Sequence, residues 1–220
     1  MRINMGRRIF FIEGNIGSGK STLIANMRER LGSTGVTFIP EPVQEWVSFR
    51  DEKSGADIIE LYYSDPEKYA MLFQNIIVQS KVKILLDLLV SDAAEASVYI
   101  MERSFFSDYN VFVKMMRNAS QLERNVFQKW QDMCSAALSK AGYEIHFFYV
   151  DADIDACLER VERRARHGEA SIDFEYLQTV DIKYKEWLAT IAAVTYVDGN
   201  ADPETLLEAT LAVLKPNMPV

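Results

Sequence analysis

Cysteine is scarce: Cys134 and Cys157 are the only two in 220 residues, and neither has metal-ligand spacing around it. They read as reduced thiols in a cytoplasmic protein, with one disulfide as the alternative. No long basic run faces an aromatic cluster, and the net charge is −8. A polynucleotide backbone attracts a positive surface, so no nucleic-acid partner is expected. Apolar runs are too short, or too often interrupted by charge, to span a bilayer, so no membrane partner is expected either. The first apolar segment begins near Arg8, so no signal or transit peptide is expected in this chain. Repeats, low-complexity tracts and linkers are absent, and residues 1–220 are expected to form one domain.

Apolar residues are plentiful, 49% of the chain, enough for a substantial core. Residues 8–13 predict a buried strand, then a Gly-rich turn and a helix over Lys20–Leu31 that Gly32 stops. Val36–Ile39 predicts a second strand. It ends at Pro40-Glu41-Pro42, a turn that two fixed φ angles make rigid. Residues 57–63 read as helical, and Asp65-Pro66 supplies a cap and a first-turn proline for a helix over Pro66–Val90. That helix is apolar around much of its girth, so it is expected to be buried on more than one side. Further strands are expected at 98–101, 144–150 and 194–197. Helices are expected at 108–116, 121–141, 153–166, 173–193 and Pro203–Leu214. Strands alternating with helices imply an α/β fold, a parallel sheet with helices on both faces.

Gly14-Asn15-Ile16-Gly17-Ser18-Gly19-Lys20-Ser21 satisfies G-x-x-x-x-G-K-[ST] and lies between a predicted strand and a predicted helix. Glycines let backbone N–H groups converge on phosphate oxygens, and the helix N-terminus adds a favourable dipole. Lys20 would reach the β- and γ-phosphates of ATP, and the Ser21 hydroxyl would ligate Mg²⁺; Thr22 is counted in the same cradle. The loop alone leaves switch GTPases, motor ATPases and small-molecule kinases open. An N-K-x-D guanine-reading motif is lacking, which argues against the first.

Four other segments, in register with this loop, decide between the rest. They are Glu41-Pro42-Val43 with Trp46; Phe73-Gln74; Glu102-Arg103-Ser104 followed by Asp108; and residues 157–177 (CLERVERRARHGEASIDFEYL). Together with the loop they resemble the deoxynucleoside kinase family across residues 8 to about 188. The resemblance implies a P-loop nucleoside-kinase-like fold, transfer of the γ-phosphate of ATP to the 5′-hydroxyl of a deoxynucleoside, and an Arg-rich lid over about 160–170. By the same resemblance Glu41 is the base for the 5′-hydroxyl and Arg103 holds the 5′-oxygen and Glu41. Glu102 joins Ser21 at Mg²⁺, while Arg160, Arg164 and Arg166 close over the phosphates. Trp46, Phe73 and Phe112 wall the base, Gln74 reads its edge, and Tyr63 with Glu169 holds the 3′-hydroxyl. The chain departs from the family pattern at Tyr109-Asn110, Gly168 and Asp173. Asp198-Gly199-Asn200 falls where the family loops around the adenine.

Each of these residues also has a plainer reading. Glu41 could be an ordinary glutamate in a Pro-flanked turn, Phe112 plain core, and the arginines a solvated face paired with Glu159 and Glu162. Gln74 in an apolar helix is harder to dismiss, because a buried amide without partners is costly. Gln74, Ile77 and Lys81 share one helical face. By the resemblance Asp108 pairs with a cation beside the base, and a Lys81–Asp108 pair there would favour deoxycytidine or a purine deoxynucleoside over thymidine; the alternative is that Lys81 reaches solvent and Asp108 caps a helix. His146 and His167 have no catalytic role on this reading, and His146 is expected to be packed in its strand. A homodimer through the 66–90 helix and the helix after Asp108 is expected. Nucleoside monophosphate kinase and catalytically silent P-loop regulator are the alternative readings. The first needs extra arginines at the base pocket, and the second should lack the base or the lid arginines.

Overall fold

The computed structural model describes residues 7–32, 35–90, 98–166 and 168–215. Five parallel strands, β1 (Arg7–Gly14), β2 (Val36–Ile39), β3 (Val98–Glu102), β4 (Tyr143–Asp151) and β5 (Val194–Asp198), form one sheet in the order β2-β3-β1-β4-β5. Alternation along β1 serves both faces, as the two-residue period of a strand requires. Ile9 and Phe11 face one core with Tyr99, Met101 and Phe147. Phe10 and Ile12 face the other with Ile100, Phe148 and Val150.

On the Phe10 side, α1 (Lys20–Leu31) and α9 (Pro203–Leu214) pack through Leu23, Met27, Leu207 and Leu211. On the Phe11 side, α4 (Pro66–Val90), α6 (Gln121–Lys140) and α8 (Phe174–Leu188) contribute Leu85, Leu88, Leu138 and Tyr184. Each such side chain, fully buried, contributes roughly 1.5–3 kcal/mol. The first half of α4 joins α2 (Val43–Trp46) and α3 (Ile58–Ser64) in a third apolar cluster around Trp46, Phe73 and Ile77. So α4 is buried on more than one side, as its girth predicted. No helix among the described residues is long and apolar enough to cross a membrane.

Strand order reverses at β1, whose neighbours are β3 and β4. Ligands of open parallel sheets bind in the crevice beyond the strand C-termini at such a point. Gly14 ends β1, while Pro40 and Arg103 follow directly on β2 and β3, so three sequence motifs converge there.

Several element boundaries differ from expectation. The 108–116 segment is not a plain helix: α5 (Phe105–Ser107) runs into a π turn over Asp108–Val113. That wider turn falls where Asp108 is tied to Lys81 and Phe112 packs on Arg103, and π turns recur at functional sites. Helix α7 (Ile154–Arg164) stops before Arg166, because Ala165 adopts the left-handed conformation at φ 44°. Without a glycine there, the sequence carried no stop signal. α8 ends at Leu188 rather than 193, where the Thr190 hydroxyl turns back to the Trp187 carbonyl. The four-residue α2 was not anticipated. His146 is packed, its ring stacked on Phe10 at 4.8 Å. His167 lies outside the described residues.

Candidate active site

The phosphate loop is held open by its own backbone. A Cβ on Gly17, at φ 81°, would collide with the Cys157 carbonyl at the start of α7. Asn15 ties the loop to α8 by donating from Nδ2 to the Leu177 carbonyl at 2.8 Å, and its Oδ1 accepts from the Ile16 N–H. Lys20 is buried and curls back, donating from Nζ to the carbonyls of Gly14 (3.0 Å) and Asn15 (2.6 Å). Burial, reinforced by the neighbouring Arg103, pushes its amine down to about 7.

Ser21 donates from Oγ to Glu102 Oε1 at 2.5 Å. This joins the hydroxyl that opens α1 to the carboxylate that ends β3. Two hard oxygen donors beside a phosphate loop fit Mg²⁺, which takes one or two protein oxygens and completes its shell with phosphates and water.

Arg103 is the centre of the site. It is buried, non-glycine and at φ 56°, a conformation that costs on the order of 1–3 kcal/mol and persists only where its surroundings enforce it. Nε faces Glu41 Oε1 at 3.2 Å, Nη1 donates to Tyr184 Oη at 2.6 Å and to the Gly14 carbonyl at 3.2 Å, and the guanidinium lies 5.1 Å from the Phe112 ring centre. Glu41 is therefore ion-paired, and Phe112 packs on the core and covers the guanidinium as well. Burial raises the Glu41 carboxyl above its ordinary value despite the opposing pull of Arg103.

Beyond Glu41 opens a pocket lined by Trp46, Tyr63, Phe73, Gln74, Ile77, Asp108, Phe112 and Glu169, with Ile59, Tyr62 and Tyr176, which the sequence reading missed. Trp46 and Phe73 meet edge to face at 5.6 Å, and the indole N–H is satisfied by Ser80 at 3.0 Å. Lys81 neither lines this pocket nor reaches solvent. It sits behind Asp108, donating to Asp108 Oδ1 at 2.6 Å and to the Ser104 carbonyl at 2.9 Å. Asp108 does not cap the N-terminus of a helix; Ser104 takes that part for α5. Among the described residues, neither Gln74 Oε1 nor Asp108 Oδ2 has a hydrogen-bond partner. Each is a buried acceptor at the pocket wall, costly unless a ligand satisfies it.

The arginines divide. Arg160 donates to the loop carbonyls of Gly17 and Ser18 at 3.4 and 3.3 Å. Arg164 holds Glu169 bidentately at 2.8 and 2.7 Å, with Arg166 3.5 Å from the same carboxylate. No ion pair to Glu159 or Glu162 appears among the described residues; the plainer reading that paired the arginines with them gives way to pairing with Glu169. Gly168, at φ 88°, packs against the Glu60 backbone, and Asp173 caps α8 through the Tyr176 N–H. Across the loop from the pocket, a second cleft is lined by Gly17–Thr22, Arg160, Arg163, Arg164 and the Gly199-Asn200 turn. One missed residue stands out: Glu13, wholly buried at the end of β1, accepts from the Ser104 N–H and the Tyr184 hydroxyl. It looked like a strand-terminal glutamate, and only the fold brings its partners to it.

The parallel sheet, phosphate loop and adjoining cleft define a P-loop kinase fold. A family model described as deoxynucleoside kinase matches residues 10–211. The chain is 31% identical over 206 residues to the thymidine kinase of Ictalurid herpesvirus 1 (strain Auburn), covering 94% of this chain and 85% of that one. It is 30% identical to deoxycytidine kinase 2 of Gallus gallus and 29% identical to deoxycytidine kinase of Homo sapiens. Each covers 80% of this chain, and 72% and 74% of the relative. The chain belongs to the deoxynucleoside kinase family, and it is a kinase.

Proposed function

We propose that residues 1–220 form one cytoplasmic kinase domain that transfers the γ-phosphate of ATP to the 5′-hydroxyl of a deoxynucleoside, in nucleotide salvage. The observation that carries this reading is the pair of unsatisfied acceptors, Gln74 Oε1 and Asp108 Oδ2, in a pocket that opens beside Glu41 and the phosphate loop. ATP occupies the second cleft. Lys20 swings from the loop carbonyls to the β- and γ-phosphates, and the Gly199-Asn200 turn borders the adenine. When bound, Mg²⁺ held by Ser21 and Glu102 neutralises phosphate charge. Glu41 accepts the 5′-hydroxyl proton, and Arg103 orients both Glu41 and the 5′-oxygen. Arg160, Arg164 and Arg166 form the lid; arginines on a transferring phosphoryl group contribute ~10³–10⁵ in turnover. Tyr63 and Glu169 take the 3′-hydroxyl.

The base preference follows from donors and acceptors. Gln74 offers one of each, and Asp108 offers an acceptor that Lys81 leaves half satisfied. Deoxycytidine and the purine deoxynucleosides with an exocyclic amine bring a donor to that acceptor. Thymine brings a methyl group instead, a mismatch of about 1–3 kcal/mol or roughly ten- to a hundredfold in specificity. The relatives' names divide among thymidine, deoxycytidine and deoxyguanosine, so the preference proposed for this chain rests on Gln74 and Asp108 alone. Specificity constants for the four deoxynucleosides are expected to place thymidine below deoxycytidine or a purine, and the double change Lys81→Met with Asp108→Ala is expected to narrow the gap. Thymidine as the best substrate of the unmodified enzyme would refute the preference.

The assembly proposed is a symmetric homodimer. Leu72, Leu86 and Val90 are exposed at helical spacing on α4, and Leu122, Val126 and Met133 on α6. The segment after Asp108, expected to share the interface, is mostly buried and leaves that part to α6. Light scattering at micromolar concentration is expected to give twice the 25.2 kDa chain mass. A stable species at the chain mass would contradict the dimer.

A further inference from the structure

Arg103 holds an unfavourable backbone conformation and a fixed side-chain direction at once, and one buried carboxylate bears on both. Glu13 Oε1 accepts from the N–H of Ser104, the residue directly after Arg103, at 2.8 Å. Glu13 Oε2 accepts from the Tyr184 hydroxyl at 3.0 Å, and the Tyr184 oxygen accepts from Arg103 Nη1 at 2.6 Å. A phenol has one proton. With that proton committed to Glu13, its lone pairs face the guanidinium, so the direction of both bonds is set. Burial keeps the phenol protonated by raising it well above its ordinary value. Glu13, Tyr184 and Arg103 are all buried, and these links run between β1, α8 and the end of β3. Neither Glu13 nor Tyr184 is among the residues that line the pocket.

We propose that Glu13 and Tyr184 are positioning residues that fix Arg103 against Glu41 for phosphoryl transfer. The geometry supports that division of labour. Arg103 reaches Glu41 through Nε and Tyr184 through Nη1, so the two partners occupy different edges of one rigid fork. Removing the phenol oxygen leaves Nη1 with only its longer bond to the Gly14 carbonyl at 3.2 Å, and the Nε edge facing Glu41 is held less firmly. A misplacement of about 1 Å at such a group is enough for a hundredfold loss. The inference rests on the reading of Glu41 and Arg103 given above.

Tyr184→Phe removes only the hydroxyl. It is expected to lower kcat tenfold or more, with the KM for ATP within twofold and an unchanged cooperative melting transition. A purely structural role would not produce that split. The decisive comparison is a cycle with Arg103→Lys, whose ammonium cannot form the two-edged contact. In that background Tyr184→Phe is expected to cost less than twofold more, because its effect already runs through Arg103. Glu13→Gln keeps the shape, removes the charge, and carries the same test should the phenylalanine variant fail to fold. If Arg103→Lys and Glu41→Gln lose activity while Tyr184→Phe and Glu13→Gln keep kcat within twofold, the positioning role is wrong. The same follows if the effects of Tyr184→Phe and Arg103→Lys multiply independently. If Arg103→Lys and Glu41→Gln themselves keep full activity, it is the underlying assignment that fails.

Discussion

Glu41→Gln is expected to lower kcat at least a hundredfold while leaving the KM for ATP nearly unchanged. The amide has the shape of the carboxylate but cannot take a proton from the acceptor hydroxyl, and such bases contribute ~10²–10⁴ in rate. ATP affinity should survive because the phosphate loop, Lys20 and Ser21 are built by β1 and α1, while Glu41 follows β2. The raised Glu41 carboxyl, desolvated yet facing Arg103 at 3.2 Å, suits a group that must take up a proton during turnover. Steady-state kinetics with ATP varied at saturating deoxynucleoside separate the two parameters. Near-normal kcat would remove Glu41 from the role of base.

The second large effect concerns stability. Lys81 and Asp108 are both buried and paired at 2.6 Å. Asp108→Ala alone leaves a buried ammonium with only the Ser104 carbonyl, and breaking such a pair from one side costs about 3–5 kcal/mol. Lys81→Met together with Asp108→Ala removes both charges and is expected to restore most of the loss, since replacing a whole buried pair by apolar groups is often close to neutral. Urea denaturation of the two single variants and the double variant measures this directly. Equal destabilisation by Asp108→Ala and by the double variant would show that the pair is not a unit.

Much of this site was legible because its chemistry sits in contiguous motifs. The phosphate loop at the end of β1, Glu41 after β2 and Glu102-Arg103 at the end of β3 each sit at a strand C-terminus, so locating the strands located the residues. Gln74 was legible for another reason: an amide inside an apolar helix needs a purpose. The Lys81–Asp108 pair was anticipated from the helical face Lys81 shares with Gln74 and from the family resemblance at Asp108, but its depth was not. Lysine usually reaches solvent, and only the packing of α4 against α5 and its π turn closes that route. Glu13 and Tyr184 lie 171 residues apart and carry no local signal; their contact exists only because α8 packs against β1. Ala165 ended α7 without the glycine that normally marks such a stop. Tyr62 and Tyr176 carry no local signal either, and the fold pairs their hydroxyls at 2.9 Å on the pocket wall.

The central claim is that the acceptor is a nucleoside hydroxyl rather than a nucleotide phosphate. Incubation of the enzyme with γ-labelled ATP and Mg²⁺, against the four deoxynucleosides and separately against their monophosphates, tests it most directly. Label is expected in the 5′-monophosphates of the deoxynucleosides and not in diphosphates. Label appearing only in diphosphates, or no transfer to any deoxynucleoside, would contradict it.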